Sequence, residues 1–275
     1  MNLSYFFTNI QRIFERRYKK GAVLYGRYEI IQELGMGSYG ITYLANDLHT
    51  NKQVVIKQMR KRKRKTREDS FRREAAILRQ LNHSQIPALY DTFTVRHTPH
   101  LVMEYMEGDT VESLIFAKGK VFTEEEAFQL LKQVLTIVEY IHAKGIVHRD
   151  LRIPNILLRD EDVCIIDFGL ARFLSEQDPH IETYILEKKL RRQIDVKSDI
   201  YALGHFLLFL LYSSYEPTTK EERSWEEELG ISNFARTILR RMLQITEPYD
   251  EIASLKEDID CMLKRKERNK HVIVS

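Results

Sequence analysis

The chain carries three short stretches whose polar side chains sit at spacings suited to moving a phosphoryl group. In His148-Arg149-Asp150-Leu151-Arg152-Ile153-Pro154-Asn155 an amide follows an aspartate by five positions, and Asp167-Phe168-Gly169 adds a second aspartate. One carboxylate can accept a hydroxyl proton, while an amide oxygen and a second carboxylate are hard donors suited to Mg2+. Leu34-Gly35-Met36-Gly37-Ser38-Tyr39-Gly40 is a glycine-rich turn whose bare N–H groups could approach phosphate oxygens. Val54-Val55-Ile56-Lys57 ends an apolar run on a single lysine. A lysine in a buried strand needs an anion, because an unpaired buried ammonium is costly, and Glu74 is the nearest candidate.

The elements that must position these groups can be read from periodicity. Tyr28–Leu34, Ile41–Asp47 and Gln53–Met59 are β-branched or aromatic runs and predict three strands, with the glycine turn between the first two. A glycine motif running strand to strand differs from the dinucleotide-binding version, which runs from strand to helix; a plain tight hairpin stays open as the alternative. Ser70–Leu81 predicts a helix with Phe71, Ile77, Leu78 and Leu81 on one face, and Ala88–Thr94 and His100–Glu104 predict two further strands. After Gly108 helical patterns dominate, at Val111–Phe116, Thr123–His142, Lys197–Tyr212, Ser232–Gln244 and Ile252–Leu263. Thr123 with Glu126 three positions on spells a capping box. Ile156-Leu157-Leu158 and Val163-Cys164-Ile165-Ile166 predict a hairpin that aims Asn155 and Asp167 at one point. A β-rich lobe followed by a helical lobe results.

Composition bounds the rest. With 275 residues, 43% of them apolar and only 11 Gly and 6 Pro, collagen-like and wholly disordered classes are excluded. Cys164 and Cys261 lie far apart with no C-x-x-C, which excludes a disulfide scaffold or cysteine-based zinc module and points to a reducing compartment. The longest apolar stretch, Ile200–Tyr212, is too short to cross a bilayer and predicts a core helix. Met1–Ile10 lacks the features of a secretory signal, so a cytoplasmic location is expected.

Charge is segregated. Residues 1–74 hold 17 basic and 7 acidic side chains, and the remaining 201 hold 26 and 33. Leu3, Phe6, Phe7, Ile10, Ile13 and Phe14 recur at helical spacing beside Arg12, Arg16, Arg17, Lys19 and Lys20. Two readings stay open: a helix docked on the following domain, or a peripheral anchor on an anionic membrane. Arg60-Lys61-Arg62-Lys63-Arg64-Lys65-Thr66-Arg67 packs seven cations into eight positions. It reads as a solvated loop or as a contact for an acidic partner or anionic membrane; the lack of interleaved aromatic residues disfavours nucleic acid.

Taken together and in this order, the glycine loop, V-V-I-K, H-R-D-L-x-x-x-N and D-F-G resemble the signature set of eukaryotic-type (Hanks-type) serine/threonine protein kinases, in the small form found in bacteria, over about residues 27–263. The resemblance implies an α+β, two-lobed kinase-like fold, with an N-lobe over about 27–104 and a C-lobe over about 108–263. An extension over 1–26 precedes it and a basic tail over 264–275 follows. It implies ATP and Mg2+ as cofactors and transfer of the γ-phosphate to a Ser or Thr hydroxyl of a protein that the sequence does not name. Leu34, Gly35, Met36, Gly37, Ser38, Tyr39, Gly40, Thr42, Val55 and Leu157 would surround the nucleotide, with Met103 at the back of its pocket. Glu104 and Met106 would offer backbone hydrogen bonds to adenine. Lys57, held by Glu74, would contact the α- and β-phosphates. Asp150 would be the catalytic base, Arg152 would stand near the transferring phosphate, and Asn155 and Asp167 would be metal ligands. Leu78, Leu89, His148 and Phe168 would form a hydrophobic column, and Asp199 in Ser198–Gly204 would hold the catalytic-loop backbone.

The chain also departs from that pattern. Thr42 replaces a valine, Val55 a small alanine, and Arg152 the lysine common in Ser/Thr kinases. Ile185-Leu186-Glu187 stands for A-P-E, and Tyr249-Asp250 falls where an arginine partner for Glu187 would be expected. His180 or Ile181 stands near where a threonine shapes the acceptor site. Arg149 could bind a phosphate on Ser175, Thr183 or Tyr184, but the segment lacks its usual landmarks and the sequence leaves this open. A nucleotide-binding scaffold and a small-molecule kinase on the same fold are the alternative functions.

Overall fold

The computed structural model describes residues 17–37, 40–60, 64–159, 162–216, 221 and 223–274, with backbone alone at 64–67 and 266–274. The expected helix over residues 3–14, together with Ser38, Tyr39 and residues 61–63, lies outside this set. The chain divides into two compact units, Met1–Met106 and Glu107–Ser275.

Among the described residues, the first unit is a six-stranded antiparallel sheet with one helix. Its strands are β1 (Val23–Leu24), β2 (Tyr28–Met36), β3 (Gly40–Asp47), β4 (Lys52–Met59), β5 (Leu89–Val95) and β6 (Thr98–Glu104), in the order β1-β2-β3-β4-β6-β5. Helix α1 (Arg64–Gln80) lies between β4 and β5 in the chain. Because side chains alternate across a pleated strand, Tyr43, Ala45, Val54, Ile56 and Val102 share one face, and Tyr28, Ile30, Ile41 and Phe93 complete a buried cluster there. Two register shifts in β2, at Ile30/Gln32 and Glu33/Gly35, lengthen that strand past its expected end. The β3–β4 turn is built on Asp47, whose carboxylate accepts from the His49 amide, the Thr50 hydroxyl and both arms of the Arg27 guanidinium. The Arg27 hydrogen bonds hold the Asp47 carboxyl well below the usual carboxylate range.

The second unit is mainly helical. It runs through β7 (Asp109–Thr110), α2 (Val111–Phe116), α3 (Glu124–Ala143), β8 (Ile146–Val147), β9 (Ile156–Arg159), β10 (Asp162–Ile165), β11 (Arg172–Phe173), α4 (Leu186–Arg192), α5 (Val196–Tyr212), α6 (Trp225–Glu228), α7 (Asn233–Met242) and α8 (Ile252–Val274). The capping box at Thr123 and Glu126 starts α3, whose buried stripe includes Phe128, Leu131, Val134, Leu135 and Val138. Helix α5 is apolar around most of its circumference and buried accordingly; it packs on α3 and α7. Gly204 permits that approach, since a Cβ there would stand 2.9 Å from Leu243 Cδ2.

Two elements differ from expectation. Helix α1 begins at Arg64, not Ser70, because arginine and lysine are good helix formers and the like charges of the basic run do not stop the helix. Helix α8 continues to Val274, past its expected end at Leu263, so the basic tail is helical.

The top of the sheet also contains a titratable group taken out of water. His100 on β6 is buried, its Nε2 lies 3.1 Å from the Tyr18 hydroxyl, and its ring stacks on Phe93 at 4.8 Å. Burial pushes its pKa down from 6.5 to about 4. The unfolded chain therefore binds a proton that the folded chain refuses, and stability is lost as pH falls from 6.5 toward 4, by up to about 3 kcal/mol for this one group. Urea denaturation of the wild type and His100→Gln across pH 7 to 4.5 is expected to show a shallower loss in the variant. Equal slopes would contradict the assignment.

Candidate active site

Within the first unit, strand register decides what stands beside Lys57. Thr42 pairs with Lys57, Lys57 with Leu101, and Val55 with Met103, so these five side chains share the face opposite the Tyr43 cluster. Lys57 Nζ lies 2.6 Å from Glu74 Oε1, and the two side chains are only 8% and 1% exposed. Glu74 is carried by α1, which is anchored by buried Phe71, Ala75, Ile77 and Leu78. Removing either partner would take the counter-charge at 2.6 Å from a buried ionised group, a destabilising change.

The glycine turn is fitted to that lysine. A Cβ at Gly40 would lie 3.0 Å from Lys57 Cγ and 3.0 Å from the Gln58 carbonyl oxygen, so a side chain there would press on the lysine stem and the neighbouring strand. The Gly37 amide donates to the Gly40 carbonyl at 2.9 Å, and Arg60 Nη1 donates to the Gly37 carbonyl at 3.1 Å. Arg60 is buried and serves this turn; it is not part of a solvent-facing cationic patch. Gly35 pairs with Thr42. Met36 corrects one expectation: it pairs with Ile41 and its side chain packs on the Tyr43 cluster, with Arg17 Nη2 3.5 Å from its sulfur. Only its backbone remains for a ligand on the Lys57 face. Leu34 is exposed, while Thr42 and Val55 are half-buried. At the end of β6 the Glu104 amide donates to the Ala88 carbonyl at 2.8 Å, which leaves its carbonyl as its backbone group for a ligand. Met106 is buried at the end of this unit.

Within the second unit, the loop after β8 is shaped by one buried carboxylate. Asp199 on α5 is fully buried; its Oδ2 accepts from the His148 amide at 2.8 Å and its Oδ1 from the Arg149 amide at 2.7 Å. His142 Nε2 lies 2.9 Å from the same Oδ2. Burial by itself would raise the Asp199 pKa, but His142 and the donors around the carboxylate outweigh it, and the group lies below its ordinary value. Arg149 has φ 64°, a left-handed conformation that is uncommon outside glycine and that the Asp199 bond helps to hold. His148 is also fully buried, and burial lowers its pKa; its ring meets Phe168 edge-on at 4.7 Å.

Asp150, next in the chain, is held from several sides. Asn155 Nδ2 donates to the Asp150 carbonyl and to its Oδ2, both at 2.9 Å. With its nitrogen so engaged, Asn155 has its amide oxygen turned the other way. Arg152 Nε is 3.4 Å from Asp150 Oδ2, and its side chain is largely exposed. Ile156 pairs with Ile165 across the β9–β10 hairpin, and the Ile166 amide donates to the Asn155 carbonyl at 2.9 Å, so Asn155 and Asp167 emerge from the same end. Asp167 is exposed, has φ 63° and accepts from the Gly169 amide at 3.2 Å. Leu157 is buried on β9.

Three participants were not visible in the sequence pattern. His142 supports Asp199, Asp178 lies 2.8 Å from Arg149 Nη2, and Arg192 Nη2 lies 3.2 Å from Asp150 Oδ1. The anion on Arg149 is thus a carboxylate, that of Asp178. Glu187 pairs with Arg191 of its own helix at 3.1 Å, while Asp250 pairs with Lys197 at 2.7 Å.

A carboxylate beside an amide and a second carboxylate, with a lysine–glutamate pair under a glycine hairpin, is equipment for phosphoryl transfer rather than for nucleophilic or redox chemistry. Residues 28–271 match the model of the protein kinase domain, and the chain belongs to that family. It is 38% identical over 250 residues to the probable serine/threonine-protein kinase YbdM of Bacillus subtilis, covering 90% of this chain and 94% of that one. It is 32% identical over 212 residues to CBL-interacting protein kinase 15 of rice and 30% identical over 246 residues to calcium-dependent protein kinase 8 of Arabidopsis thaliana. These alignments cover 72% and 84% of this chain but only 48% and 44% of the plant proteins. The solved kinase domain of PF14_0431 shares the fold, with a TM-score of 0.64 at 24% identity, over 76% of this chain and 71% of that one. The protein is therefore a protein kinase of α+β architecture.

The Asp199 contact yields a direct prediction. In Asp199→Asn the amide nitrogen would face a donor in place of an acceptor, so one loop N–H loses its partner. A stability loss of about 2–4 kcal/mol in urea denaturation is expected, with a fall in kcat. A loss below about 0.5 kcal/mol would show that the loop does not depend on this carboxylate.

Proposed function

We propose that this kinase transfers the γ-phosphate of ATP to a serine or threonine hydroxyl of a protein, with Asp150 as the base. The observation that carries the reading is the fixing of Asp150: its oxygen Oδ2 is tied to Asn155, and the preceding two amides are tied to the buried Asp199. A general base works when it is held within reach of the proton it takes. Family membership supports ATP as donor, and the similarity to YbdM supports a Ser or Thr acceptor.

Each remaining residue then has a task. Gly35, Gly37 and Gly40 bring bare backbone to the phosphates, while Lys57, kept charged and oriented by Glu74, neutralises them. Thr42, Val55 and Leu157 give the adenine apolar surface, and the Glu104 carbonyl and Met106 backbone give it hydrogen bonds. Ser38, Tyr39 and Leu34 would contribute to the cover of the nucleotide. Arg152 places a cation at the migrating phosphoryl group. Asn155 and Asp167 fit Mg2+, since both present a hard oxygen at one end of the β9–β10 hairpin, and Mg2+ is usually held by one or two such groups plus phosphate oxygens. When bound, the ion would offset charge on the phosphates. Catalysis by such a set is mostly positioning and electrostatics.

Among the described residues no helix is long and apolar enough to cross a membrane. The cations of residues 1–20 and of the run after Arg60 fit an acidic partner or an anionic membrane surface better than nucleic acid.

Mass spectrometry of a generic protein acceptor after incubation with ATP and Mg2+ is expected to show phosphoserine or phosphothreonine. Asp150→Asn should lower the rate by about 10²–10⁴ while nucleotide binding persists. Binding of ATP by the wild type with no transfer would instead indicate a scaffold, and ADP release with small alcohols alone would indicate a metabolite kinase.

A further inference from the structure

The carboxylate of Asp150 has a second, unexpected holder. Arg192, the last residue of α4, reaches Oδ1 with Nη2 at 3.2 Å, and its Nη1 donates to the Arg149 carbonyl oxygen. The contact is returned, since Arg149 Nη2 donates to the Arg192 carbonyl oxygen and to Asp178 Oδ2, the latter at 2.8 Å. Two guanidinium groups so close repel unless anions stand at either end, and Asp178 and Asp150 occupy those two ends. The series Asp178–Arg149–Arg192–Asp150 is therefore one continuous unit, two cations flanked by two anions, joining the segment after Gly169 to the base.

Burial makes the first link obligatory. The Arg149 side chain is 3% exposed, and burial works against its charge, with Asp178 as the counter-anion. Burial also works against the Asp178 charge, but the His180 amide and Arg149 outweigh it, leaving its pKa below the ordinary value. Asp178 is thus ionised at neutral pH and already supplies the anion that Arg149 needs. At the other end, a carboxylate has about four lone-pair sites. Arg192, Asn155 and Arg152 use three at most, which fixes the carboxylate plane and leaves a site for an incoming hydroxyl.

We propose that Arg192 is a positioning residue for Asp150, and that Asp178 is a built-in anion which holds Arg149 and Arg192 in place, so the base is set without phosphate on the segment 170–185. The proposal rests on Asp150 being the base, and the controls separate the two.

Steady-state kinetics with MgATP and a protein acceptor, on phosphatase-treated protein whose folding is checked by thermal melting, test it. Arg192→Ala is expected to lose about 10- to 100-fold in kcat, the scale set by misplacing a catalytic group by about 1 Å, with KM for ATP within about twofold. Arg192→Lys should recover part of that loss. Asp178→Asn should fall in the same way, and the double variant should be no worse than Arg192→Ala, because both act through one series. The triple variant Ser175→Ala, Thr183→Ala, Tyr184→Phe should keep wild-type kcat. An unchanged or raised kcat in Arg192→Ala would overturn the proposal, the raised value indicating that Arg192 covers the base. Loss of activity on phosphatase treatment of the wild type would overturn it as well. Should Asp178→Asn fail to fold, the Arg192 pair of variants still decides. An active Asp150→Asn would remove the base assignment itself, whereas an inactive Asp150→Asn beside a normal Arg192→Ala removes only the proposal.

Discussion

The carboxylate of Asp199 is completely buried, and the loop displaying Asp150 takes its shape from that carboxylate's need for donors. Two successive backbone amides point inward to satisfy it, which obliges the chain to turn at Arg149 through a left-handed conformation. The turn sends the Arg149 side chain toward Asp178 and presents Asp150 on the far side of the same bend. Because the Asp199 pKa is lowered in the fold, its contribution is present at neutral pH and is lost only as pH falls below the ordinary carboxylate range, near 3.8. The first unit obeys the same constraint, that charge taken out of water must be matched. Lys57 and Glu74 are buried as a pair, and the glycine at position 40 is what lets the neighbouring strand lie against the lysine stem.

Much of this was legible in the residues. The glycine turn between two strands, the lysine ending an apolar strand, and the Asp–Asn–Asp spacing are short, local patterns whose chemistry fixes the residue type. They sit on the expected elements, and Asn155 and Asp167 do emerge together from a hairpin. Capping at Thr123 and the apolar stripe of α3 were equally readable, since both follow from local hydrogen bonding and a 3.6-residue period. Arg192 and Asp178 were not readable. They lie 43 and 29 positions from Arg149, and no local pattern marks a residue whose partner is set by tertiary approach. His100 with Tyr18, 82 positions apart, is the same case. The start of α1 at Arg64 lies within a dense run of like charge, which masks the high helix propensity of arginine and lysine in the sequence pattern. Met36 was assigned to the nucleotide by its place in the glycine motif, whereas strand alternation turns its side chain to the opposite face.

The departures from the family pattern cluster in one segment. Between Gly169 and Glu187 the chain lacks the usual landmarks, and the same stretch carries Asp178 and leads into Arg192. In that stretch a carboxylate, Asp178, and at its end a guanidinium, Arg192, supply the charges that meet Arg149 and Asp150. The replacements at Thr42 and Val55 change volume and polarity on the Lys57 face but remove no charged group.

The proposed function requires Lys57 on the phosphates, and Asn155 and Asp167 on the metal, of a bound ATP. A crystal structure with a non-hydrolysable ATP analogue and Mg2+ tests this most directly. The account predicts Lys57 Nζ within hydrogen-bond reach of the α- or β-phosphate and the Asn155 and Asp167 oxygens on the metal at about 2.1 Å. A nucleotide whose phosphates contact neither Lys57 nor a metal held by Asp167 would contradict it.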